Sequence, residues 1–126
     1  MKQEFSKSWN NSKKPSKQRK FRANAPLHTK SKFLSTHLIK ELREKHGKRS
    51  VRVKKGDKVK VLRGTHRGKT GKVEKVSVKL TKVYVTGIDT IKKDGAKALY
   101  PLNPTNLMIT ELDLSDNKRK EKMTKK

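Results

Sequence analysis

From Lys55 to Val85 the chain reads KGDKVKVLRGTHRGKTGKVEKVSVKLTKVYV. Valine and lysine alternate through most of it. A period of two gives a strand one apolar face and one charged face, a pattern that a helix cannot use. Val59 and Val61 share one face, with Lys58 and Lys60 on the other. Val73 keeps an odd register while Val76 and Val78 need an even one, so a β-bulge near Glu74–Lys75 is expected. Val51 and Val53 begin an entry strand, and Gly56–Asp57 reads as a turn in which Asp57 bonds its own following backbone. Val83 and Val85 form another strand ending at Gly87. Ile88 and Ile91 lead to a hairpin turn at Asp94–Gly95. Leu99 to Thr105 is extended, and Leu107 and Ile109 supply a closing strand. Short strands at this spacing favour a closed barrel over an open sheet, because closure removes exposed edges. The fold class is mainly β: a small barrel, preceded by a basic arm and one short helix and followed by a basic tail.

Outside the barrel the apolar signal thins. Residues 1–34 are polar and basic, and Lys13, Lys14, Lys17, Arg19, Lys20 and Arg22 crowd together with no acid among them. Such a segment buries too little to offset its chain entropy and is expected to be disordered without a partner. Pro15 would open a short helix running to about Asn24, and Pro26 would stop it. Residues 35–47 are expected to be the main helix. Ser35 would cap it, Leu34 would staple onto Ile39, and Leu38, Ile39 and Leu42 would form a narrow stripe. Gly47 would end it in a left-handed cap. Residues 48–114 form the barrel and 115–126 a charged tail, helical or frayed.

The formal net charge is +25, from 36 Lys+Arg against 11 Asp+Glu. An imbalance of that size self-repels unless a polyanion neutralises it, so nucleic acid is the leading partner. A membrane surface would want a long basic amphipathic helix, which is absent from the pattern, and no run reaches the length of a membrane span. There is no cysteine, which excludes thiol chemistry and Cys-ligated zinc and fits a reducing cytoplasm. His28, His37, His46 and His66 lack metal-ligand spacing, and Asp57, Asp89 and Asp94 sit at turn positions. No catalytic residue, metal or cofactor is assigned, and no enzyme is expected.

The Gly64–Gly71 segment is the strongest motif. Gly64, Gly68 and Gly71 permit unusual backbone angles and close approach to a partner. Arg63, Thr65, His66, Arg67, Lys69 and Thr70 surround them, so backbone donors and positive charge converge on one loop suited to phosphate. Gly68-Lys69-Thr70 imitates the end of a nucleotide-binding P-loop, but the full spacing is missing. Trp9, Phe21 and Phe33 lie among basic residues, where stacking on a base is possible. Lys54, Lys55 and Lys72 flank the loop on the barrel. His28, Lys30 and Lys32 extend the arm's donors.

Residues Val53 to Val78 resemble a KOW motif, which implies that the barrel is SH3-like. Ala25-Pro26-Leu27-His28, Leu42-Arg43-Glu44, Arg49 to Val53 and Asn106 to Leu114 follow in the order seen in the archaeal and eukaryotic form of the large-subunit ribosomal protein family numbered twenty-four. The resemblance spans about residues 13 to 120. It implies a cytoplasmic ribosomal component that binds large-subunit rRNA near its 5′ domain. It further implies a place near the polypeptide exit tunnel, a role in assembly, neighbouring large-subunit proteins as further partners, and no homo-oligomer. The loop from Arg63 to Thr70 is expected to project from the barrel. A KOW-bearing transcription factor, a DNA-compacting protein and an RNA-directed enzyme are the alternatives.

Overall fold

A computed structural model describes residues 5, 6, 8, 9 and 12–125. The rest of the arm and the last residue of the tail lie outside the described residues. Two helices lead in: α1 (Pro15–Asn24) and α2 (Leu27–Lys30), followed by a 3-10 turn at Ser31–Leu34. Pro15 at the first turn and Pro26 just beyond the end bound α1 as the sequence suggests. Then come β1 (Ser35–Leu38), α3 (Lys40–His46), β2 (Ser50–Arg52), β3 (Lys58–Val61), β4 (Thr70–Ser77), β5 (Lys82–Val85), β6 (Asp89–Ile91), β7 (Lys97–Leu99), β8 (Leu107–Glu111) and α4 (Asn117–Thr124).

Six strands form one sheet in the order β2-β1-β8-β3-β4-β5, and β6-β7 is a separate hairpin. All pairings are antiparallel except β1 with β8. The β5 edge is taken up by Leu102, whose N–H and carbonyl exchange bonds of 2.9 Å with Val83. Alternate valines do what the period predicts: Val59, Val61, Val73, Val83 and Val85 are buried with Leu38, Leu107 and Ile109 in one cluster. The intervening lysines stay in water. Each such buried side chain contributes on the order of 1.5–3 kcal/mol of transfer free energy. The register of β4 against β5 shifts between Val73 and Lys75, which is the expected bulge. The result is a mainly β, SH3-like barrel-type domain.

Three expectations need correction. The segment Ser35–Leu38 is a strand, and the helix is confined to Lys40–His46. Burial at Leu34, Thr36 and Leu38 follows a period of two. The Ser35 hydroxyl donates to the carbonyl of Lys32 (3.0 Å) and caps nothing. Leu38 N–H is taken by Arg49 and Ile39 N–H by Ile109, so sheet bonds claim the backbone a helix would need. His37 accordingly sits half-buried on β1. Gly47 does close α3 at φ 67°.

Asp57 is more than a turn residue. It is fully buried, and its carboxylate accepts from the N–H groups of Lys54 (3.0 Å) and Asp113 (2.9 Å). Arg119 completes the set with a fork, Nη1 to Oδ1 at 2.5 Å and Nη2 to Oδ2 at 2.6 Å. The same guanidinium donates to the carbonyls of Asp113 (2.8 Å) and Arg52 (3.0 Å). A buried carboxylate needs this many donors to stay paired.

The third correction follows from the second. Residues 117–124 take the helical form of the tail, but it is not a free tail: the helix is docked on the barrel through Arg119 and Met123, which are 4% and 3% exposed. The Asp116 side chain caps the helix by accepting from Lys118 N–H at 3.1 Å.

Candidate nucleic-acid interface

The connection between β3 and β4, residues 62–69, carries the predicted loop. Gly64 (φ 101°) and Gly68 (φ 87°) adopt angles that favour glycine, and a Cβ on either would meet open space. Both therefore serve the turn itself. Gly71 is different: it lies inside β4, and a Cβ there would stand 2.6 Å from the Thr86 carbonyl oxygen and 2.7 Å from Val85 Cγ1. Its smallness admits the β5 strand rather than an outside partner, which corrects its assignment to the loop backbone. Thr70 likewise belongs to β4, paired with Lys60.

Much of the loop's donor capacity is spent internally. Arg67 N–H bonds Gly64 O, Gly68 N–H bonds Val61 O, and Lys69 N–H bonds His66 O. The loop thus offers phosphate its side chains more than its amides. Arg63, Thr65, Arg67 and Lys69 are exposed. His66 is half-buried, its ring edge-on to Tyr100 at 4.7 Å between centroids, with Lys69 Nζ 3.4 Å from its Nδ1. An aromatic pair of this geometry contributes about 0.5–1.5 kcal/mol and steadies the loop on the barrel.

Beside the loop the exposed face of the sheet is cationic. Lys58 stands opposite Lys72 across β3 and β4. Like charges directly opposite repel. Glu111 offsets one of them, 3.4 Å from Lys58 Nζ. Lys58 and Lys60 were legible as a charged face yet went unassigned as contacts. Lys55 is exposed in the turn after β2, but Lys54 is already engaged, its Nζ 2.7 Å from Asp116 Oδ2. That hydrogen bond, then the Lys118 N–H, holds the Asp116 carboxyl below its ordinary 3.8. Asp113 is also held low, first by hydrogen bonds from Ser115.

On the arm, Lys13, Lys14, Lys17, Arg19, Lys20 and Arg22 are all exposed, with no residue of α1 buried. The arm's aromatics do not stand free for stacking. Phe21 packs against Phe5 (4.8 Å) and Trp9 (5.7 Å), and the Arg22 guanidinium lies 4.9 Å from the Phe33 ring centre. His28 and Lys32 are exposed; Lys30 is half-buried, with its Nζ 3.4 Å from the Lys79 carbonyl. Loop, sheet face and arm are therefore three cationic areas. What the sequence reading left out is the lysine-bearing surface of α4. The signal for it was an acid-capped start at Asp116 with Arg119 and Met123 at i,i+4 spacing.

Comparison with known proteins agrees with this architecture. Residues 12–126 match the family of ribosomal proteins described as L26 in eukaryotes and L24 in archaea. The protein from Methanothrix thermoacetophila named large ribosomal subunit protein uL24 is 46% identical over 110 residues, covering 87% of this chain and 95% of its own length. The protein of the same name from Methanocorpusculum labreanum is 52% identical over 105 residues, covering 83% and 87% respectively. The chain thus belongs to this family of eukaryotic L26 and archaeal L24 ribosomal proteins and is a structural, non-enzymatic constituent of the ribosome.

Proposed function

We propose that this protein is a cytoplasmic component of the large ribosomal subunit that binds large-subunit rRNA directly, near the rRNA 5′ domain and the polypeptide exit tunnel, and that it helps the subunit assemble. The observation that carries the reading is the acid-free run from Arg63 to Lys72, with its cations exposed on a loop held by internal backbone bonds. Side chains presented on a fixed loop lose less entropy on binding than those on a free one. Arg63, Arg67, Lys69, Lys72 and Lys55 contact phosphates, with Thr65 and His66 beside them. The arm from Lys13 to Lys32 runs between rRNA helices and becomes fully ordered there. Phosphate contacts dominate affinity, and RNA shape dominates specificity. Neighbouring ribosomal proteins, rather than a second copy of this chain, complete its surroundings.

Neutralising roughly ten phosphates gives a slope of log K against log salt of about −7 to −9. Titration of a large-subunit rRNA fragment across salt concentrations checks this, and a flat dependence overturns it. Crosslinking in purified large subunits, with mapping of both nucleotides and peptides, tests the placement. Crosslinks confined to other ribosomal proteins would sink direct rRNA binding.

A further inference from the structure

The C-terminal helix α4 carries cations that the surfaces above do not include. Lys118 and Lys122, at i and i+4, share one exposed side of the helix with Glu121, and Lys125 follows at the C-cap, while Arg119 and Met123 turn to the barrel. A lysine run is ordinarily a solvated face. This one differs in how firmly its direction is set. The Arg119 fork on Asp57 is bidentate and buried, and it fixes the rotation of the helix about its own axis as well as its position. Lys54 holds the Asp116 cap, and Lys48 Nζ donates to the Lys122 carbonyl. A buried ion pair is no better for stability than apolar groups of the same volume. Its distinctive product here is orientation. That fixed side sets Lys118 and Lys122 one turn apart, and the single carboxylate beside them, Glu121, leaves a net positive charge there.

We propose that α4 and its C-cap are a further phosphate-binding element, taking the phosphodiester backbone of folded RNA on Lys118, Lys122 and Lys125, with Arg119 as the positioning residue that aims them. This rests on the rRNA-binding reading above. The full chain carrying Lys118→Gln, Lys122→Gln and Lys125→Gln together is compared with the parent on a large-subunit rRNA fragment over a range of salt. The expected result is a melting temperature within a few degrees of the parent and a log–log salt slope smaller in magnitude by about 2 to 3. A second variant, Asp57→Asn with Arg119→Gln, removes both buried charges and keeps the three lysines. It is expected to speed amide exchange in α4 and to lower the preference for the rRNA fragment over unrelated RNA of equal length. An unchanged slope in the triple variant, alongside a reduced slope in an Arg67→Ala/Lys69→Ala variant, overturns the helix proposal and leaves the rRNA reading standing. A parent that does not bind the rRNA fragment overturns both. If the double variant fails to fold, the triple variant decides alone.

Discussion

The helices α1 and α4 are both short, lysine-rich and close to a chain end, yet α1 buries nothing and α4 buries an arginine and a methionine. Charge count does not separate them. The difference is two side chains one turn apart and a carboxylate in the barrel positioned to receive one of them. Arg119 converts the end of the chain into part of the folded domain, while α1 relies on a small aromatic cluster of Phe5, Trp9 and Phe21. A basic segment becomes a rigid surface when one of its cations is buried with a partner, and stays an adaptable one when none is.

This contrast is open to direct attack. Asp57→Ala leaves the Arg119 guanidinium buried without its partner and should cost about 3–5 kcal/mol in chemical denaturation. A loss under about 1 kcal/mol would show that α4 is held by something else. Deleting residues 1–32 should leave the barrel's melting temperature nearly unchanged. It should reduce the magnitude of the rRNA salt slope by about 4 to 5 if the six cations from Lys13 to Arg22 are the arm's phosphate contacts. An unchanged slope would mean the arm does not bind. Replacing Arg67 and Lys69 together with Ala should lower that slope by about 1 to 2 with little effect on melting. A large fall in melting temperature would show that the loop is packed rather than presented.

The smallest effect belongs to pH. The folded Asp116 carboxyl lies below its ordinary 3.8, so its stabilising contribution is complete above that value and fades as pH falls through the lower folded one. The amide signals of α4 are therefore expected to hold steady above about pH 4 and to shift only below it. A shift near neutral pH would contradict this.

Most of the barrel was legible because valine–lysine alternation has one structural reading. The Val73/Lys75 bulge, the Gly47 cap and the Asp94–Gly95 hairpin were visible for the same reason: each is a local signal. Ser35–Leu38 was not. Leu34, Leu38, Ile39 and Leu42 fit a helical stripe, and the buried residue that reveals the strand is Thr36, whose polarity hid it. Whether that segment coils or extends is decided by Met108 and Ile109, its parallel partners far along the chain. Asp57 and Arg119 failed for a similar reason, since either alone reads as a surface charge. At the candidate interface the exposed cations of loop and arm were evident, but the engagement of Lys54 by Asp116 and the inward role of Gly71 depend on neighbours brought in by the fold.

The parallel pairing of β1 with β8 also dictates an order of events. β8 sits between β1 and β3 in the sheet, so the β1–β2 pair and the β3–β4–β5 strands have nothing to join them until residues near Glu111 have been synthesised. Contacts this remote in sequence form late and slowly. The basic arm, which precedes the barrel in the chain and so leaves a translating ribosome before it, is consequently exposed while the barrel is still open.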